Sequence, residues 1–155
     1  MDWMQKRLRV EDDTAGRTDS SLTLSPRQPD PLVRCKVEEA AINETIAGFE
    51  NDDYLVYSQE KDNVGWDLVA TRGDRQLHLE VKGLSGSVLC VELTPNEYAQ
   101  MLARRNSYRV CVVTTALTNP QLAIFSYRPE SNTWQDDQKR TLRIKELTAA
   151  RCQVV

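Results

Sequence analysis

The sequence predicts an α/β (α+β) domain, with a central mixed β-sheet flanked by helices. Three observations predict it. Two helical stretches with clear start signals, at Asp30-Pro31 and Thr94-Pro95, are interleaved with short strand-like segments. Gln76 to Lys82 alternates polar and apolar residues strictly, the period of a half-buried strand. Tyr108 to Ala116 is nearly all β-formers in one continuous run, as in a strand buried on both faces.

Residues 1–30 read as an N-terminal arm, flexible or partly helical, and residues 31–155 as a single domain. Met1 to Val10 suits a short helix, and Glu11 to Pro31 mixes charges with Thr, Ser, Gly and Pro and offers little to pack. The first long helix starts with Asp30 as N-cap and Pro31 in the first turn. Val33, Val37, Ala40/Ala41, Ile42, Ile46 and Phe49 make its buried stripe, and Glu50-Asn51-Asp52-Asp53 ends it. Tyr54 to Ser58 is a short strand and Gln59 to Gly65 a polar turn. Trp66 to Thr71 and Gln76 to Lys82 are strands joined by the turn Arg72-Gly73-Asp74-Arg75. Gly83 to Ser87 turns into a third strand, Val88 to Leu93. The second helix has Thr94 as cap, Pro95 in the first turn and Glu97 closing a capping box. The buried strand from Tyr108 and an alternating strand, Gln121 to Tyr127, follow. Arg140 to Leu147 fits either a strand or a helix.

The chain has 155 residues and a net charge of −3, with a mean hydropathy of −0.54. No run approaches the roughly 20 apolar residues of a membrane span. Neither collagen-like nor fully disordered composition fits, and the net charge opposes a histone-like coat. The charge is uneven, however. Residues 1–97 carry 11 Lys/Arg against 19 Asp/Glu, and residues 98–155 carry 9 against 4. An acidic first part and a basic last part suit a cation site beside an anion-binding surface, or simply unequal solvated faces. Cys35, Cys90, Cys111 and Cys152 show no zinc spacing, and His78 is the only histidine. With no readable secretory signal, the expected location is reducing and intracellular, that is, cytoplasmic.

The stretch Gln76-Leu77-His78-Leu79-Glu80-Val81-Lys82 carries the most chemistry. Strand alternation sends Leu77, Leu79 and Val81 to one face and His78, Glu80 and Lys82 to the other. Glu80 and Lys82 are then neighbours on one face, about 6.5–7 Å apart along the strand. Asp67 opens the preceding strand, which a tight turn at Gly73 lays alongside. Two carboxylates and a lysine can thus converge, as metal-assisted phosphodiester hydrolysis requires: Mg²⁺ takes hard oxygen ligands, polarises a phosphoryl oxygen and activates a water. The same Glu-x-Lys also occurs as a plain solvated ion pair.

The spacing Asp67…Glu80-Val81-Lys82 in this element order resembles the PD-(D/E)xK nuclease superfamily, with its restriction-endonuclease-like sheet. Five segments, Val37-Glu38-Glu39-Ala40-Ala41, Asp62 to Leu68, Leu79 to Gly83, Leu93 to Tyr98 and Tyr108 to Val113, resemble more specifically one domain family. It is the domain of unknown function at the C-terminus of the plant protein NO VEIN, found also in bacterial restriction and defence proteins. The resemblance spans about Val33 to Tyr127. Trp66 stands where the superfamily's name has proline. The resemblance implies a Mg²⁺- or Mn²⁺-dependent DNA endonuclease, in restriction or phage defence. Asp67 and Glu80 would be metal ligands with the Val81 carbonyl, Lys82 the catalytic lysine, and Glu38 (Glu39 the alternative) a helix carboxylate near the metal. It also implies DNA as partner, a homodimer, a larger defence- or helicase-type partner, and no membrane. A catalytically silent module of the same fold, binding nucleic acid or a protein, is the alternative, and an unrelated α/β interaction protein a third.

Arg104, Arg105 and Arg109 cluster where the second helix ends, as cations suited to a helix C-terminus or to DNA phosphates. Lys139, Arg140, Arg143 and Lys145 extend this basic set. His78 reaches the site or merely flanks the sheet. Asn96 and Glu97 are explained first by capping, and Ser85 and Ser87 by a turn. No helix-turn-helix, zinc finger or RNA-binding aromatic signature accompanies them.

Overall fold

The computed structural model describes residues 4–12, as backbone, and residues 30–154. Its elements run β1 (Met4–Asp12), α1 (Pro31–Asn51), β2 (Leu55–Ser58), a 3-10 turn (Glu60–Asp62), β3 (Leu68–Arg72), β4 (Arg75–Gly83), β5 (Cys90–Leu93), α2 (Pro95–Ala103), β6 (Tyr108–Thr114), β7 (Gln121–Arg128), β8 (Thr133–Gln135) and β9 (Leu142–Ala150). The fold is mixed α/β. Six strands form one sheet in the order β2-β3-β4-β6-β7-β8, and β5-β1-β9 form a second. Only the central pair β4–β6 of the large sheet is parallel, and its connection carries β5 and α2. A parallel pair needs such a crossover, whereas the antiparallel neighbours need only turns.

Local chemistry explains most boundaries. The Asp30 carboxylate accepts the Leu32 N–H at 2.9 Å and starts α1, while Asp52 ends it. Gly73, at φ +58°, takes the first central position of the two-residue turn that pairs Arg72 with Arg75. Thr94 and Glu97 make the reciprocal capping box that starts α2.

The large sheet is covered on both faces. On one side α1 packs Phe49, Ile42 and Ile46 on Leu68, Leu77, Leu79 and Cys111, and Val37 and Ala41 near Val81 and Val113. On the other, Val91 and Leu93 of β5, Met101 of α2 and Leu142 of β9 pack on Tyr108, Val110, Val112, Phe125 and Trp134. The strand β6 lies between these layers with Tyr108 through Val113 all buried, which is why it lacks alternation.

Two expectations change. Met4–Asp12 is a strand, where the local sequence of Met1 to Val10 also suits a short helix. Its ladder runs along all nine residues of β9 and beside β5, partners too distant in the chain for a local reading to see. The loose arm expected over Glu11 to Pro31 is likewise corrected at Glu11 and Asp12, which belong to β1, while residues 13–29 lie outside the described residues. The undecided stretch Arg140 to Leu147 resolves as β9 for the same reason, since β1 is its partner. Among the described residues no helix is long and apolar enough to cross a membrane.

Candidate active site

The turn at Gly73 folds β3 back along β4 with Leu68 opposite Leu79. This register brings Asp67, the residue just before β3, beside Glu80. The Asp67 N–H donates to the Leu79 carbonyl at 2.9 Å, and its Oδ2 accepts the Val81 N–H at 2.9 Å. Asp67 therefore holds the chain on both sides of Glu80. The approach to Asp67 is fastened from outside the hairpin. Gly65 has φ +96°, its carbonyl accepts the Tyr108 hydroxyl at 2.8 Å, and a Cβ there would lie 2.6 Å from Gln100 Cγ. Only glycine combines that backbone with so close an approach to α2.

Glu80 and Lys82 point away from α1, toward α2. The Glu80 side chain is 3% exposed and that of Lys82 22%. Lys82 Nζ lies 3.0 Å from Glu80 Oε1 and 3.0 Å from Glu97 Oε2. Glu97 Oε2 also accepts the Thr94 N–H at 2.8 Å, and the Glu97 N–H donates to Thr94 Oγ1 at 3.2 Å. The residue read as a helix cap is thus also a carboxylate of the site. The capping box was a legible signal for its place in α2. That α2 sets it against Lys82 was not.

Burial dominates the electrostatics. It raises the Asp67 carboxyl, against the pull of the Val81 N–H and the Lys82 ammonium. It pushes Glu80 up to about 9, helped by the charges of Asp67 and Glu97 and opposed by Lys82. For Lys82 burial acts to lower the ammonium, but Glu80 and Glu97 outweigh it and hold it above the ordinary lysine range. Buried Tyr108 is raised too, first by desolvation and then by the neighbouring acids. The cluster is acid-rich and largely buried, with one ammonium held between two of its carboxyls.

Other expected residues stand elsewhere. Glu38 is exposed on α1, the helix on the opposite face of the sheet, and no described hydrogen bond or ion pair joins it to the cluster. Glu39 is exposed as well. Val81 enters through its N–H. His78 shares the strand face of Glu80, but its ring packs 4.4 Å from Trp66 and its Nδ1 lies 3.1 Å from Ser107 Oγ. Desolvation and then Arg104 lower it below the usual histidine range. Arg104 lies over Trp66 at 4.9 Å and Arg105 over Tyr127 at 5.3 Å. Arg109 departs from the expected trio. It is buried, with its guanidinium bonded to the Asn106 and Tyr108 carbonyls at 3.1 and 2.8 Å. Strand alternation turns it away from its neighbours Tyr108 and Val110, toward the face that α1 covers. Arg140 pairs with Asp136 at 2.7 Å, and Arg143 and Lys145 are exposed on β9.

Among the described residues no group of three or more His, Cys, Asp or Glu is placed to hold a metal ion. Asp67 and Glu80 are the hard-oxygen pair that the hairpin brings together. Fold and site together define a small mixed-sheet α/β domain with a buried acid–lysine cluster beside the parallel crossover. The chain belongs to the family described as Protein NO VEIN, C-terminal, whose model matches residues 37–125. That span runs from the middle of α1 to β7 and contains Asp67, Glu80, Lys82 and Glu97. Neither a curated protein nor a solved structure matches the chain.

Proposed function

We propose that the domain is a metal-dependent nuclease of the PD-(D/E)xK type, hydrolysing phosphodiester bonds in DNA. The observation that carries the reading is Asp67 fastened to the backbone on both sides of Glu80, with Lys82 on the same strand face. Asp67 and Glu80 would hold Mg²⁺ or Mn²⁺, ions that keep several waters and need few protein ligands. Bound there, the ion would supply Lewis-acid polarisation of a phosphoryl oxygen and a water of lowered pKa. Both acids are raised by burial, so a cation stabilises their charged forms where water does not. The chain's own residues supply the rest. Lys82 brings an ammonium to the charge that develops on the phosphate, and the burial of Glu80 keeps water from screening it there. Exposed Arg104 and Arg105, at the end of α2, suit the flanking phosphates.

Incubation with plasmid and linear DNA in Mg²⁺ or Mn²⁺ tests the reading. Cleavage is expected from the parent chain and lost in Asp67→Ala and Lys82→Ala. Cleavage that survives either change overturns the assignment.

One observation favours a catalytically silent module instead: the Lys82 ammonium is already held between Glu80 and Glu97. Calorimetric titration with Mg²⁺ and Mn²⁺ separates the two readings. A silent module binds neither ion in a way that depends on Asp67 and Glu80.

A further inference from the structure

We infer that Glu97 is a positioning residue of this site, retaining the Lys82 ammonium when Glu80 gives its carboxylate to a cation. The inference rests on the nuclease reading for its consequence, and on geometry for its content. Lys82 Nζ is 3.0 Å from Oε1 of Glu80 and 3.0 Å from Oε2 of Glu97. Glu80, 3% exposed, holds that ammonium through Oε1, and a cation that draws on the same carboxylate weakens this hold. A largely buried ammonium with a weakened partner is unfavourable, and the second carboxylate, Glu97, offsets that loss.

Glu97 is built for that part because its own placement is independent of Lys82. Its Oε2 is fixed by the Thr94 N–H at 2.8 Å, and its backbone N–H by Thr94 Oγ1 at 3.2 Å. The carboxylate therefore stays in place whichever way Glu80 turns. Lys82 reaches it from another element, 15 positions earlier in the chain. Capping alone does not require a charge at this position, since glutamine closes a capping box as well.

Glu97→Gln separates the two roles, because it keeps the cap and removes the charge. The first measurement is the ¹H–¹⁵N ammonium spectrum of the full chain, metal-free and with Mg²⁺, with Lys82 assigned through Lys82→Arg. The parent chain is expected to show a protected Lys82 resonance in both states. Glu97→Gln is expected to keep it in the metal-free chain, where Glu80 still holds Lys82, and to lose it with Mg²⁺, while the melting transition stays cooperative. A resonance that persists in Glu97→Gln with Mg²⁺ bound overturns the inference. The second measurement is DNA cleavage, where kcat is expected to fall roughly tenfold or more with KM unchanged. Equal kcat in the two proteins overturns the inference as well. If the parent chain cuts no DNA, the nuclease reading fails, and the ammonium spectrum still decides the Glu97–Lys82 relationship.

Discussion

The carboxylate of Asp67 accepts the backbone N–H of Val81 at 2.9 Å, across 14 positions of chain. A side chain here does the work of a ladder partner. The bond fixes the carboxylate beside Glu80 and leaves β4 straight enough to continue pairing with β6 through Gly83. A structural tie and a proposed ligand are thus the same group, and substitutions can be chosen that divide the two.

Asp67→Asn keeps an oxygen acceptor for the Val81 N–H and removes the charge. The variant is expected to fold with nearly the parent melting temperature. It should bind Mg²⁺ at least about tenfold more weakly and cut DNA at least about a hundredfold more slowly. Calorimetry and a gel assay on the same preparation check both, and parent-like binding of Mg²⁺ removes Asp67 from the ligand set.

Lys82→Met takes the ammonium from between Glu80 and Glu97 and leaves two carboxyls facing each other. Urea unfolding at neutral pH is expected to show a loss of about 3 kcal/mol. Adding Glu80→Gln should recover part of it, because one buried carboxyl is left where the single variant has two. A double variant less stable than Lys82→Met alone contradicts the coupling.

The pH dependence of stability follows from the raised acids. Glu80 stands at about 9 in the folded chain against an ordinary 4.5, and Asp67 is raised as well. The folded state therefore binds more protons than the unfolded state between those values. Stability should fall as pH rises through that window, by up to about 1.4 kcal/mol per pH unit from Glu80, with Asp67 adding in the same direction above its ordinary value. Lys82, raised, acts in the alkaline range: its contribution is full below the ordinary lysine value and is lost as pH climbs past it. Melting of the metal-free chain is expected at a lower temperature near pH 9 than near pH 6, with the difference reduced in Glu80→Gln. A melting temperature that climbs over this range contradicts the burial of Glu80 as an acid.

Tyr108→Phe removes the hydroxyl that donates to the Gly65 carbonyl and leaves that acceptor without its partner. The expected loss is about 1–2 kcal/mol of stability. Because Gly65 leads directly into Trp66 and Asp67, hydrogen exchange at Trp66 and Asp67 should also accelerate. Protection equal to the parent chain shows that the 3-10 turn and α2 hold this approach without Tyr108.

The sequence by itself determined the class of fold, both helix starts, the Gly73 hairpin, the doubly buried β6 and the shared face of Glu80 and Lys82. Each depends on chemistry within a few residues: a capping carboxylate, a proline in a first turn, a period of two along a strand. The tertiary structure decided the rest. Met4–Asp12 is a strand because β9 and β5 offer it backbone partners, although its local sequence also suits a helix. Arg109 leaves the expected basic cluster because one step along β6 reverses the face, and burial then ties its guanidinium to main-chain carbonyls. Glu38 lies exposed on α1, which covers the face opposite Glu80 and Lys82. Glu97 joins the site because the crossover after β5 brings the first turn of α2 against Lys82. Spacing along a chain records which way a side chain points from its own element. Which element it then meets depends on pairing between distant segments, and that pairing is what brings Lys82 to Glu97.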